Sequence, residues 1–317
     1  MSYGLSDAPL RLLSHRGNTL FRVDAAQATA GARGSSDGPR RYVLRLYGPQ
    51  GTAPAIVRSE LLWLATLHRE TDLVVPVPVA TRDGALLHEV TGPDVPEPRR
   101  CVLFEWVEGR FLDAGLTPAH LAHVGAYMAG LHQHAATFTP PADFLRPRWN
   151  WRATFGEPAA FERAAGAGAL SAADQAVFHA AAARIAHGMA TLAHDPQAHG
   201  LIHADLQQTN YLFHGRTARA IDFEDCCWSY YLFDMAITLF EVADRPQGAA
   251  LRAGFFSGYS SVRPLPADYE AGIRLFTAIR LAKRVHYLAH AADPALRAAA
   301  PRWVAFAVGW LRRFLED

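Results

Sequence analysis

The sequence predicts an α+β fold, with a small β-rich N-terminal lobe and a larger, mainly helical C-terminal lobe. Three observations carry this. The first hundred residues fall into short apolar runs with β-branched or aromatic members. After residue 117 the pattern switches to helical spacing with capping signals. A chain of 317 residues is long enough for two lobes.

The elements follow in chain order. Thr19-Leu20-Phe21-Arg22-Val23 and Tyr42-Val43-Leu44-Arg45-Leu46-Tyr47 read as strands, and the Gly-, Ala- and Ser-rich run over 25–40 reads as a long hairpin connection. Apolar residues at Ile56, Leu61, Leu64 and Leu67 predict a helix over 56–70. Val74-Val75-Pro76-Val77-Pro78-Val79 cannot be helical, because each proline lacks a donor and restricts the residue before it. Residues 86–90 and 101–106 complete a sheet. A joint at 105–109 then separates lobes at 1–104 and 110–317. Thr117-Pro118 supplies an N-cap and a first-turn proline for a helix to about 136. Ser171-Ala172-Ala173-Asp174 resembles a capping box and opens an alanine-rich helix to about 194. Residues 139–170 are irregular, and 268–292 and 294–315 read as two long amphipathic helices.

Composition narrows the function classes. Half of the residues are hydrophobic and 19% are charged, as in a globular protein. A net charge of +1 and the lack of a long basic run argue against nucleic acid as a partner. No apolar stretch reaches membrane-spanning length, and the N-terminus lacks a secretory layout, so the expected location is the cytoplasm. Cys101, Cys226 and Cys227 form no Cys-x-x-Cys pair and read as packed thiols. The histidine pairs His132/His134 and His286/His290 lack the acidic partner of a zinc-enzyme motif. Lys283 is the single lysine; arginine supplies the other basic side chains.

The chemistry-bearing segment is Gly200-Leu201-Ile202-His203-Ala204-Asp205-Leu206-Gln207-Gln208-Thr209-Asn210, followed by Ile221-Asp222-Phe223. Phosphoryl transfer needs a carboxylate to orient and deprotonate the attacking hydroxyl, and oxygen ligands to hold magnesium against nucleotide phosphates. Asp205 fits the first task, Asn210 and Asp222 the second.

This segment, with Tyr231-Leu232-Phe233-Asp234-Met235-Ala236, resembles the aminoglycoside phosphotransferase and choline kinase-like superfamily, which includes type II homoserine kinases and bacterial stress-response kinases. The resemblance implies a protein-kinase-like bilobal fold, ATP and Mg2+ as cofactors, and a small-molecule hydroxyl acceptor. It makes Asp205 the catalytic base and Asn210 and Asp222 the magnesium ligands. His203 becomes a structural loop residue, and Asp234 braces the loop from a following helix. The family's phosphate-binding lysine and its helix glutamate correspond here to Arg45 and Glu60. An arginine keeps the charge and can donate two parallel bonds to phosphate. Gly17 and Asn18 would cover the phosphates with backbone donors, and the main chain around Glu105 and Val107 would read the adenine edge.

Glu224, Asp225, Trp228 and Tyr231 follow the metal aspartate and are candidates for the acceptor pocket. Arg148-Trp149-Asn150-Trp151 is a candidate lid or wall. Acidic groups there would favour an amine-bearing acceptor such as an amino acid, an amino alcohol or an aminoglycoside. Alternatives at this stage are a serine/threonine acceptor on another protein, a nucleotide-binding pseudokinase regulator, and nucleotidyl transfer.

Overall fold

The computed structural model describes residues 2–5, 7–25, 40–48, 51–92, 95–149, 171–192, 196–266, 268–290 and 294–316. The hairpin connection expected over 25–40 lies almost entirely outside them, as do Asn150 and Trp151. Tertiary contacts divide the chain into two compact units. The first takes Met1–Leu112, Phe138–Arg146 and Thr209–Glu224; the second takes Asp113–Thr137, Pro147–Gln208 and Asp225–Asp317.

The first unit is built on an antiparallel sheet of six strands: β1 (Leu10–Arg16), β2 (Asn18–Ala25), β3 (Arg40–Leu46), β4 (Pro78–Val79), β5 (His88–Gly92) and β6 (Val95–Glu105). The order is β1-β2-β3-β6-β4, with β5 also pairing β6. Strand β4 is only two residues long, and the prolines at 76 and 78 are the reason: each removes a ladder donor. Val23, Ala25, Tyr42 and Leu103 form a small core on this sheet. Helix α1 (Pro54–Glu70) starts with proline in its first turn and buries Val57, Glu60, Leu61, Leu64 and Leu67, the three- and four-residue spacing of one face. Its last turn closes on Thr71, whose N–H and hydroxyl both donate to the Leu67 carbonyl at 3.0 and 2.7 Å. A hairpin of β8 (Tyr211–His214) and β9 (Thr217–Ala220) completes the unit, turning at Gly215 with φ of 59°.

The second unit is mainly helical. It contains α2 (Pro118–Thr137), α3 (Ala172–Leu192), α4 (Tyr231–Val242), α5 (Gly248–Ser260), α6 (Tyr269–His290), α7 (Pro294–Ala298) and α8 (Ala300–Glu316). A short antiparallel pair joins β7 (His199–Ile202) to β10 (Cys227–Tyr230). Helix α3 opens as the capping pattern predicts, with the Asp174 N–H donating to Ser171 Oγ at 3.2 Å. Helices α2 and α5 meet backbone to backbone. A side-chain carbon at Gly125 would run into the Phe255 carbonyl, and one at Gly258 into the Ala122 carbonyl. The helix expected over 294–315 is two helices. Pro301 has no N–H for the preceding turn and its ring collides with the carbonyl four residues back, so α7 stops and proline sits in the first turn of α8. Helix α4 is buried along nearly its whole length, including Met235, Ile237 and Leu239, each worth ~1.5–3 kcal/mol of burial. That makes it a rigid base for the loop described next.

Candidate active site

The His-Ala-Asp segment leaves β7 within the second unit and is held from below by α4. The Asp234 carboxylate accepts the His203 N–H at 2.9 Å and the Ala204 N–H at 2.7 Å, and is fully buried. Four residues on, one helical turn away, Thr238 Oγ1 donates to the Leu206 carbonyl at 2.6 Å. Ala204 adopts φ of 67°, a left-handed conformation that costs a non-glycine residue about 1–2 kcal/mol. The two bonds to Asp234, from the amides of this residue and the one before it, hold the turn in place. Asp234 is itself steadied by His132, whose Nε2 lies 3.3 Å from Oδ2 and whose Nδ1 lies 3.0 Å from the Tyr259 hydroxyl. Burial lowers the His132 pKa, against the raising influence of Asp234. His203 is fully buried, and its Nδ1 accepts the Asp205 N–H at 3.3 Å.

Asp205 therefore projects from a fixed turn, with its side chain 29% exposed. Gln207 Nε2 donates to its Oδ2 at 3.0 Å, and Arg280 Nη1 of α6 stands 4.0 Å from Oδ1. Arg280 is also bonded to Glu241 at 3.0 Å. A cavity of about 660 Å³ opens beside this loop, lined in part by Gln207, Glu241, Arg280, Arg284, Arg302 and Trp303.

In the first unit, the β8–β9 register decides where the other two chemistry-bearing residues go. Tyr211 pairs with Ala220, and the next step outward bonds the Ile221 N–H to the Asn210 carbonyl at 2.9 Å. Asn210 and Asp222 thus emerge together at the open end of the hairpin, although eleven intervening residues separate them. Asn210 is buried; Asp222 has φ of 65° and a side chain about half exposed. Arg45 Nη1 donates to Glu60 at 2.9 Å, and Nη2 lies 3.5 Å from Asp222 Oδ1. Burial works against the Arg45 charge, but Glu60, Tyr47, Asp222 and Glu224 outweigh it and hold the guanidinium firmly protonated. Hard oxygen donors from one carboxylate and one amide suit a divalent cation that completes its shell with phosphate oxygens and water.

The remaining sequence candidates divide between the two units. Gly17 forms the β1–β2 turn with φ of 73°, and Asn18 Nδ2 donates to Glu224 Oε2 at 2.6 Å. Glu224 therefore belongs with the Arg45 group. Burial raises its pKa, opposed by Arg45 and by the bond from Asn18. The Glu105 N–H donates to the Val77 carbonyl at 2.9 Å, while nothing among the described residues accepts the Val107 N–H. In the second unit Tyr231 is a core residue, 1% exposed, with Arg263 over its ring at 4.2 Å. Trp228 lies in β10 and bonds through its main chain to Pro147 and Trp149. Trp149 packs on Phe233 with ring centres 5.2 Å apart. Sequence reasoning did not single out His132, Thr238, Arg280 or Lys283 for this site. The signals were there in part: Arg280 and Lys283 stand three apart on a predicted helix.

Residues 27–276 match the family model of the phosphotransferase enzyme family. The chain belongs to this family. It is a small-molecule kinase with a hydroxyl as acceptor group, on a protein-kinase-like α+β fold, and the family works with ATP and a divalent metal. Homoserine kinase of Neisseria meningitidis serogroup B is 30% identical over 239 residues, 73% of this chain and 70% of that enzyme. Homoserine kinase of Beijerinckia indica is 33% identical over 62% of this chain and 58% of its own length. Among solved structures, a microcompartment-associated aminopropanol kinase superposes with a TM-score of 0.82 at 30% identity, covering 99% of this chain and 95% of that one. An amicoumacin kinase solved with AMP-PNP and Ca2+ shares the fold, with a TM-score of 0.77 at 18% identity over 97% and 90% of the two chains. No helix among the described residues is long and apolar enough to cross a membrane.

Proposed function

We propose that this kinase transfers the γ-phosphoryl group of ATP to the hydroxyl of a small, amine-bearing acceptor, an amino acid or amino alcohol of the homoserine or aminopropanol type. The observation that carries the reading is the pinned turn. A carboxylate at Asp205 is held part-exposed by main-chain bonds to Asp234 and Thr238, five residues before the Asn210 that shares a hairpin end with Asp222. Asp205 orients the acceptor hydroxyl and takes its proton as the oxygen attacks phosphorus and ADP departs. Asn210 and Asp222 hold magnesium, which offsets charge on the nucleotide phosphates. Arg45, fixed by Glu60, binds phosphate oxygens in place of the more usual lysine. The turn at Gly17 and Asn18 covers the phosphates. The N–H of Val107, which none of the described residues accepts, and the carbonyl of Glu105 suit the adenine edge. Glu224 supports the nucleotide side through Asn18, while Trp149 and Trp228 form part of the acceptor wall. His203 and Asp234 hold the turn.

The regulator reading rests on arginine at position 45, and the buried 2.9 Å pair with Glu60 speaks against it, because the charge is presented in an ordered way. ADP release with homoserine and amino alcohols as acceptors tests the proposal. Asp205→Ala should lower kcat by ~10³-fold with ATP affinity within a few-fold of the parent. Turnover that survives this substitution sinks the assignment.

A further inference from the structure

Two cations on α6, Arg280 and Lys283, stand near the proposed catalytic base, and they differ in what holds them. Arg280 is committed to Glu241 at 3.0 Å and reaches within 4.0 Å of Asp205. Lys283 has its Nζ 2.7 Å from the centre of the Trp149 ring and 5.8 Å from that of Phe233. Among the described residues no carboxylate lies within ion-pair distance of it; Asp225 and Asp205 act on it only through their charge at longer range. Burial lowers its pKa to about 8, which still leaves most of it protonated at neutral pH. A partly buried ammonium on an aromatic face, with three donors and no carboxylate within ion-pair distance among the described residues, is costly unless an anion completes it.

We propose that Lys283 receives a carboxylate of the acceptor and so selects hydroxyl-bearing amino acids over the corresponding amino alcohols. This rests on the reading of Asp205 as the base, whose charge reaches Lys283 within that unit. An acceptor held this way has its hydroxyl at Asp205 and its carboxylate one helical turn along α6 from Arg280. The ammonium stays fixed by Trp149, so little side-chain freedom is lost on binding.

Three acceptor pairs differ by that carboxylate alone: L-homoserine and 3-aminopropan-1-ol, L-threonine and 1-aminopropan-2-ol, and L-serine and ethanolamine. In any pair that is phosphorylated, kcat/KM should favour the carboxylate member by ~10-fold or more. Lys283→Met should bring that preference to within ~3-fold by raising KM for the amino acid alone, and Lys283→Arg should keep part of it. Lys283→Gln replaces the methionine variant if the latter fails to fold, judged by its melting curve. Arg302→Ala, in the neighbouring cavity, should leave the preference unchanged. A preference for the amino alcohol overturns the proposal, as does one that survives Lys283→Met or disappears with Arg302→Ala. If none of the six compounds is phosphorylated while Asp205-dependent ATP hydrolysis persists, the acceptor class is wrong and the kinase reading stands. ATP turnover indifferent to Asp205 removes both.

Discussion

Replacing Lys283 by methionine should stabilise the protein at neutral pH while impairing its use of amino acids. Burial brings the amine from 10.5 to about 8. The folded state holds this proton less firmly than the unfolded chain, so between these two values the unfolded chain binds more protons and stability rises with pH. Below pH 8 the whole penalty is present, ~3 kcal/mol; by pH 9.5 it has fallen to roughly half of that. Methionine has a similar length and its thioether keeps ~0.3–1.5 kcal/mol of contact with Trp149, against ~1–2 kcal/mol for the lost ammonium–ring attraction. The net expectation is a gain of ~1–3 kcal/mol at pH 7, shrinking by ~2 kcal/mol at pH 9.5. Urea denaturation of both proteins at pH 7, 8.5 and 9.5 reads this directly. A variant less stable than the parent at pH 7, or a gain that does not shrink as the pH rises, refutes the buried-cation account.

Other substitutions probe the two halves of the site. Asp234→Ala removes the acceptor for two buried main-chain donors and the brace on the left-handed Ala204. It should cost ~3–5 kcal/mol by denaturant melts and lower kcat more than KM for ATP, because the loop rather than the nucleotide side loosens. Glu60→Ala strips Arg45 of its 2.9 Å partner and should raise KM for ATP ~10-fold or more, with Glu60→Gln intermediate because it keeps a hydrogen bond. An unchanged KM in Glu60→Ala would separate Arg45 from phosphate binding.

Most local elements were legible because their signals are local. Thr117-Pro118 and the Ser171/Asp174 box mark helix starts whatever surrounds them. Two helices show where that logic stops. Pro301 broke a continuous apolar stripe, because periodicity registers side-chain faces and is blind to a missing N–H. Helix α5 carries glycines at 254 and 258, poor helix formers that close packing on α2 explains. Strand β1, Leu10–Arg16, lacks strict alternation and earns its place as an edge strand by pairing with β2.

The sequence alone supplied the residues proposed for the chemistry: an aspartate five residues before an asparagine, and an Ile-Asp-Phe beyond it, in a pattern that resembles a kinase family. Spacing along the chain sufficed there, since a short turn and a tight hairpin leave few choices. Tertiary structure decided what supports and surrounds those atoms. The bonds by which Asp234 holds the loop, the Arg45–Glu60 pair fifteen residues apart, and the stand of the lone lysine against Trp149 depend on how strands and helices pack. Such contacts are set by burial of whole faces, a property of the folded core that no local pattern contains.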